Sequence, residues 1–257
     1  MGQERLAVNV FPGVLPGSYI FLDDCSDNSK WINSAANPWD GITTGAAYGY
    51  YGSGLHFDMS CAGGGAVNSK AYRYPMMPQY MLRSADFYWG FKLRPHLVNY
   101  VAGPVVLPIY VGLQFCRGIF DVATIFHMAV KFTYRTSSLS RIVSEAWLAK
   151  NITLSPLAET TQRITGMDNG IQSVQALPPW ISVSICVENN SVVLVKINDD
   201  VIPISPIFPL GGDDLFTDEP LRGSAIFLCA NNPSGAKVSN YGFDLDQIWI
   251  SDTENRV

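Results

Sequence analysis

The sequence predicts an all-β protein built as an antiparallel β-sandwich, and three observations lead to this prediction. The 257 residues include 22 Gly and 16 Pro with 12% aromatic residues, a composition typical of short strands joined by many turns. Apolar residues alternate with serines over 181–187, as they do in a strand with one buried face. The polar corners at 188–191 and 198–200 hold residues that tolerate left-handed backbone, so 180–200 is predicted to be a β-meander.

The rest of the chain is predicted to continue the same sandwich. Residues 1–17, which are apolar and interrupted by Pro and Gly, are expected to form an extended N-terminal arm, and residues 18–257 a single β-sandwich domain. Further strands are predicted at 18–22, 55–61, 86–94, 105–116, 126–135, 224–229 and 243–250. A short helix fits the pattern only within 141–150, and a further strand over 146–154 is the alternative for this stretch. A loop rich in Pro, Gly and Asp is predicted over 203–220.

Three segments carry a resemblance to a known superfamily. The opening segment reads F-L-D-D-C-S-D-N-S-K-W over 21–31, the second strand of the meander reads V-K-I-N-D over 195–199, and the closing strand reads D-L-D-Q-I-W-I over 244–250. These segments resemble the concanavalin A-like lectin and glucanase superfamily, especially its laminin-G-like and laminarinase-like branches. The resemblance implies a jelly roll in which the terminal strand pairs beside the first strand.

Charge and cysteine content exclude several kinds of partner. The net charge of −5, from 17 basic and 22 acidic residues, gives no basic field for a phosphate backbone, so no direct nucleic-acid partner is expected. No apolar run reaches the roughly 18 residues of a membrane span, and no membrane contact is expected. The five cysteines lack Cys-x-x-Cys spacing, which disfavours zinc, and without an export signal they are expected to be free thiols. They are Cys25, Cys61, Cys116, Cys186 and Cys229.

The chain is not expected to be an enzyme. Laminarinase-like relatives use two carboxylates that flank the scissile bond, in a Glu-x-Asp-x-x-Glu or Glu-x-Asp-x-Glu pattern on one strand. The six glutamates of this chain, at positions 4, 145, 159, 188, 219 and 254, do not form either pattern. No nucleophile elbow and no metalloprotease motif accompanies the three histidines, so no catalytic residue is predicted.

Four aspartates form the candidate metal site. If the last strand lies beside the first, Asp23, Asp24, Asp244 and Asp246 approach one another, and hard oxygen ligands of this kind suit a structural Ca²⁺. Strict alternation places Asp246 on the same face as Ile248 and Ile250, where an inward carboxylate needs a partner. Two alternatives are a β-bulge that turns Asp246 outward and a basic side chain that pairs with it.

Aromatic residues in loops are the candidate contacts for a glycan or a protein partner. These residues are Trp31, Trp39, Tyr48, Tyr50 and Tyr51. Aromatic side chains in exposed loops suit sugar stacking and also protein interfaces, where Tyr and Trp are enriched. By contrast, Trp89, Trp180 and Trp249 lie on predicted strands and are expected in the core.

These observations lead to two functional hypotheses. The first is a non-enzymatic structural or assembly protein of a virion, a phage head-decoration or tail component that binds other virion proteins or its own copies through its terminal arms. The alternative is a carbohydrate-binding, lectin-like module that uses the loops at 31–51 and 205–220 for receptor or glycan adhesion. Both place the protein in the virion after synthesis in the host cytoplasm.

Overall fold

The computed structural model describes most of the chain as β-strands. The described residues are 19–29, 31–33, 42–50, 52–58, 68–76, 86–100, 105–116, 125–136, 141–154, 157–164, 171–173, 180–198, 200–210, 223–232 and 238–251. Within these ranges, the regular structure other than strands is a 3-10 helix at Ala46–Tyr48, and no helix is long and apolar enough to cross a membrane. The predicted arm at 1–17 lies outside the described residues.

Sixteen strands are assigned in the described part of the chain. They are β1 (Tyr19–Asp23), β2 (Ile32–Asn33), β3 (Ile42–Gly45), β4 (Gly54–Asp58), β5 (Asn68–Met76), β6 (Phe87–Tyr100), β7 (Val105–Cys116), β8 (Ile125–Thr136), β9 (Arg141–Leu154), β10 (Leu157–Arg163), β11 (Ile171–Ser173), β12 (Ile181–Glu188), β13 (Ser191–Ile197), β14 (Asp200–Pro209), β15 (Gly223–Asn232) and β16 (Val238–Ser251). The prediction of an all-β chain is confirmed.

The strands form two eight-stranded antiparallel sheets. Sheet A has the order β14-β13-β12-β6-β16-β4-β3, with β1 also paired to β16, and sheet B has the order β10-β9-β8-β7-β15-β5-β2, with β11 also paired to β9. In sheet A, Asp23 of β1 lies opposite Ile248 of β16, so the opening and closing strands are neighbours, as the resemblance implied. One cluster of buried apolar side chains, drawn from both sheets, forms the core.

The inward-facing apolar side chains of the central strands of sheet A fill this core. On β6 the inward residues are Phe87, Trp89, Phe91 and Leu93, all at most 1% exposed, while Lys92 and Arg94 point to the other face. On β12 the apolar residues of 181–187 are buried and Ser182 is half-buried. Burial of one large apolar side chain contributes about 1.5–3 kcal/mol, so these rows are a main source of stability.

The meander follows from its corner residues. Asn189 and Asn190 have φ values of 48° and 60°, the left-handed conformation that a two-residue hairpin turn requires at both central positions. Asn198, with φ of 53°, makes the second corner, and its side-chain oxygen accepts a hydrogen bond of 3.0 Å from the backbone N–H of Ser182. The predicted meander over 180–200 is therefore confirmed: β12 and β13 pair through the first corner, and the second corner leads from β13 into β14.

Two predictions of irregular structure are wrong. The stretch 141–150, where a short helix fitted the pattern, belongs to β9, so the alternative strand over 146–154 is confirmed and extends back to Arg141. Ala146 and Leu148 of β9 are buried in the core. The helix-forming residues of β9 are overridden by pairing on both sides. The start of the predicted loop at 203–220 belongs to β14, an edge strand whose Pro203, Pro206 and Pro209 need no outward partner.

A β-bulge at Gln247 decides which way the closing strand directs its acidic residues. Gln247 has φ of 56°, and the register of β16 against β6 shifts between Asp246 and Ile248. The extra residue moves the alternation by one position, so Asp246 lies on the face opposite Ile248 and Ile250. The expectation that these three residues share a face is therefore wrong. The bulge of the alternative is present, but Asp246 is 3% exposed and does not reach solvent.

Candidate functional site

The candidate site lies on the outer face of sheet A, where β4, β16 and β6 run side by side. The strand register places Asp244 of β16 between His56 of β4 and Arg94 of β6, and places Asp246 opposite Lys92 of β6. Side chains of directly opposed residues lie on the same face of a sheet. The register therefore brings two carboxylates and two cationic side chains together.

Asp244 binds two neighbours at once. Its Oδ1 lies 2.7 Å from Nδ1 of His56, and its Oδ2 accepts from Nε of Arg94 at 2.8 Å and lies 2.6 Å from Nη2 of Arg94. The Asp244 side chain is 0% exposed, against 13% for Arg94 and 16% for His56. Since a buried carboxylate is costly without partners, these contacts are what allow Asp244 to sit under the surface.

The segment 45–50 covers His56, Asp244, Arg94 and Asp246, which we call the covered row, and is attached to this row at three points. Nη2 of Arg94 donates to the backbone oxygen of Ala47 at 2.7 Å, and the backbone N–H of Tyr50 donates to Oδ2 of Asp246 at 2.6 Å. The ring of Tyr48 stacks on His56 with centroids 4.9 Å apart. The segment also packs closely against the start of β4, because a Cβ at Gly54 would lie 2.2 Å from the carbonyl oxygen of Tyr48.

Beyond the covered row, the site presents a surface that we call the Tyr50 platform, formed by Tyr50, Trp180, Lys92 and Arg94. Tyr50 is 47% exposed, its ring lies edge-on to Trp180 at 5.9 Å and 78°, and Nζ of Lys92 lies 4.0 Å from its centroid. The guanidinium of Arg94 lies 4.8 Å from the Trp180 ring centroid. Burial lowers the pKa of Lys92, and the nearby Asp246 carboxylate opposes this shift.

The structure brings together only part of the predicted aromatic set. Tyr48 and Tyr50 belong to the site, whereas Trp31 is 6% exposed and packs edge-on against Phe57 at 4.8 Å, so the expectation that Trp31 is exposed is wrong. Its ring fills a gap in the core beside β4. Trp39 and Tyr51 lie outside the described residues.

Of the three strand tryptophans, only Trp89 is in the core. Trp89 is 0% exposed, as predicted. Trp180 precedes β12 and is half-buried within the platform. Trp249 is half-buried on the outer face, where its ring lies over Gly90, because the bulge reverses the face on which the residues before and after it lie. The expectation of core positions is therefore wrong for Trp180 and Trp249.

Sequence reasoning did not find His56, Arg94, Lys92 or Trp180 as site residues. The signal available was that Lys92 and Arg94 share the polar face of β6. Their partners on β4 and β16 are set by register, which a single strand does not reveal. Asp244, a buried acidic residue, therefore has its partners Arg94 and His56 on strands far away in the chain.

The four aspartates of the calcium hypothesis have separate environments. Asp23 is 5% exposed and its Oδ1 accepts from the backbone N–H of Cys25 at 2.6 Å, while the exposed Asp24 binds Ser26. Asp244 is bound by Arg94, as described above. Among the described residues, no group of three or more metal-binding side chains is arranged around a common point. Calcium binding stays a prediction without an assigned site.

Cys25 lies next to two of these aspartates in the chain, and its backbone N–H donates to Asp23. It has φ of 55° and is 0% exposed, and both it and Cys186 are free thiols. Burial raises the pKa of the Cys25 thiol well above its usual range, and the carboxylates of Asp23, Asp246 and Asp24 raise it further. Cys25 is therefore a neutral, inert core residue in the folded protein.

We expect Cys25 to resist alkylation in the native protein. Iodoacetamide should modify it at least about a hundredfold more slowly in the folded chain than in urea, because both access and thiolate are reduced. Peptide mapping by mass spectrometry measures this, and equal rates would contradict it.

The same thiol makes stability depend on pH. Since the pKa of Cys25 is higher in the folded than in the unfolded chain, the stabilisation from the neutral thiol is present below about pH 8.5 and is lost as pH rises. Unfolding curves of Cys25→Ala should lose less stability in this alkaline range than those of the parent.

A second polar cluster lies on the outer face of sheet B. Nζ of Lys131 donates to Oε1 of Glu159 and lies 5.8 Å from the ring centroid of the fully buried Tyr110. The other glutamate whose side chain is described, Glu188, is exposed at the meander corner. Glu159 is thus held in an ion pair.

Comparison with solved structures shows which known folds this architecture is similar to. No protein-family model matches the chain, and no curated protein sequence matches it. It is similar to endo-β-1,4-glucuronan lyase from the fungus Trichoderma reesei, with TM-score 0.55 and 10% identity, covering 92% of this chain and 96% of that one. It is also similar to the CBM2 module of the evolved Dit of Lactobacillus casei BL23 phage J-1, with TM-score 0.50 and 7% identity, covering 90% and 94%.

The fold is a concanavalin A-like jelly roll. A β-1,3-glucanase from Mycobacterium marinum is a further structural match, with TM-score 0.48 and 12% identity, covering 92% of this chain and 100% of that one. At these identities the likeness defines the fold alone. What this protein can bind or catalyse must therefore be argued from its own residues. Among the described residues, the Tyr50 platform and the covered row are the largest clusters of interacting polar and aromatic side chains.

Proposed function

We propose that this jelly roll is a non-enzymatic structural component of a bacteriophage particle, which acts by contact with other molecules and not by turnover. The fold is similar to that of a module of a phage J-1 protein, and this similarity supports a role in a phage particle. The absence of the glucanase carboxylate pattern from the whole sequence supports the lack of turnover. Structural roles in virions are common for jelly rolls.

The use of Asp244 and Asp246 is the observation that carries this proposal. A glycoside hydrolase needs one carboxylic acid to protonate the leaving group and one carboxylate to act as nucleophile or base. Here Asp244 is bound by Arg94 and His56, and Asp246 accepts from the backbone of Tyr50. Asp246 holds the segment 45–50 on the sheet directly, and Asp244 does so through Arg94, which donates to Ala47. This is a structural task.

Two measurements test the proposal. An antibody raised against the purified chain should label intact particles of the encoding phage in negative-stain electron microscopy and leave an unrelated phage unlabelled. The purified chain should release neither reducing ends from laminarin nor unsaturated products from polyglucuronate. Unlabelled particles would contradict the virion role. Product release that is lost in Asp244→Asn would contradict the non-enzymatic role.

A carbohydrate-binding role is the second candidate, and the Tyr50 platform is the observation that favours it. An aromatic ring that is half exposed and held between Trp180 and Lys92 is a suitable surface for a sugar ring. The same types of side chain are also enriched in protein interfaces. A glycan array distinguishes the two: saturable binding supports adhesion, while silence together with tight self-association or binding to phage shells supports assembly.

A further inference from the structure

We infer that the Tyr50 platform is a binding site for a neutral saccharide, with an uncharged pyranose ring packed in the corner between Tyr50 and Trp180. The inference rests on the proposed function, namely that the chain acts by binding, and it names the ligand class and the place. It concerns sheet A, on the face where the segment 45–50 covers Asp244 and Asp246.

The shape of the platform is the first step. The two rings are 5.9 Å apart at an interplanar angle of 78°, so they form the two walls of a corner. A pyranose has an apolar face made of C–H groups and a rim of hydroxyl groups. The apolar face can pack on one ring while the edge of the sugar meets the other ring, which removes apolar surface of both partners from water.

The rigidity of the platform is the second step. The backbone N–H of Tyr50 is fixed to Asp246, and its ring is flanked by Nζ of Lys92 and by Trp180. Trp180 is in turn held by the Arg94 guanidinium. Binding loses less conformational entropy when the contact residues are already in place, so even a small aromatic corner can give measurable affinity.

Charge is the third step, and it selects the ligand class. The cluster contains two cationic side chains, Lys92 and Arg94, and two carboxylates, Asp244 and Asp246, with Arg94 directly paired to Asp244. These four charges cancel, so an acidic sugar gains no net attraction from the cluster and still loses the hydration of its own carboxylate. A neutral sugar avoids this cost and can accept hydrogen bonds from the Lys92 ammonium.

The test uses the full chain on immobilised oligosaccharides. The probes are neutral oligomers of glucose, galactose, mannose and N-acetylglucosamine, with oligomers of glucuronic and galacturonic acid beside them. We expect saturable binding to at least one neutral oligomer and weaker binding to the acidic ones. Tyr50→Ala and Trp180→Ala should each weaken it at least about tenfold, while Tyr50→Phe, which keeps the ring, should stay within about twofold.

Ile207→Ala is the matched control, because Ile207 is 56% exposed on the edge strand β14 and its loss removes exposed apolar surface outside the platform. Circular dichroism and urea midpoints show that each variant is folded. Stronger binding to the uronic acid oligomers would overturn the ligand class. Binding that survives both alanine variants would overturn the site.

Failure of this inference is separable from failure of the proposed function. A folded chain that binds none of the oligosaccharides would overturn the saccharide site, while antibody labelling of particles would still support the virion role. Release of reducing ends from a bound oligosaccharide would contradict the non-enzymatic role itself.

Discussion

Replacing Asp244 by alanine is expected to lower the free energy of unfolding by about 3–5 kcal/mol, because it leaves the largely buried guanidinium of Arg94 without its carboxylate. Arg94 and His56 both lose a partner, and the segment 45–50 loses the alignment that Arg94 provides through Ala47. Urea unfolding followed by tryptophan fluorescence measures the change.

A double-mutant cycle separates the ion pair from simple loss of packing. If an unpaired cation causes the loss, Asp244→Ala combined with Arg94→Met should be more stable than the sum of the single changes predicts. Asp24→Ala is the matched control, since Asp24 is exposed and its hydrogen bonds within the described residues are to Ser26 of its own turn. Equal effects of Asp244→Ala and Asp24→Ala would contradict the assigned role of Asp244.

The second large effect is expected for Gly90→Ala in the middle of β6. A Cβ at this position would lie 2.6 Å from the Trp249 ring and 2.6 Å from the backbone oxygen of Val183 on β12. The ring can move, but the paired strand cannot move without breaking its register. We expect a loss of about 3 kcal/mol, at the upper end of the usual cost of overpacking, measured as a lower urea midpoint.

Gly52→Ala supplies the matched control for this prediction. Nothing lies within 4 Å of a Cβ at Gly52, so this change should alter the free energy of unfolding by less than about 0.5 kcal/mol. Gly90→Ala should cost less in a Trp249→Ala background than in the parent, because the ring is then absent while the carbonyl remains. A Gly90→Ala chain as stable as Gly52→Ala would contradict the close packing of β6 with β12 and β16.

The fold was largely predictable because its signals are local. Alternation in β6 and β12 depends only on which face of a strand is buried, and the corner at Asn189 and Asn190 depends on backbone preference. The helix prediction failed over 141–150, where helix-forming residues of β9 are held in a strand by two neighbours. The loop prediction failed at β14, where prolines are tolerated because the strand is an edge.

The site was less predictable because it depends on distant pairing. Lys92 and Arg94 could be assigned to a polar face, but their contacts with Asp246 and Asp244 require the register of β6 against β16. One extra residue at Gln247 then reverses the direction of every side chain between it and the strand end. A bulge of this kind has no sequence signature that a single chain reveals, so the outward placement of Asp246 could not be anticipated.

The prolines of β14 have a consequence for crowded surroundings. Pro203, Pro206 and Pro209 carry no amide hydrogen, so this border of sheet A offers an interrupted row of donors to any strand that approaches it. This edge is therefore a poor template for strand pairing with a second copy of the chain. A contact made there would rely on exposed side chains such as Val201 and Ile207 and not on a continuous backbone ladder.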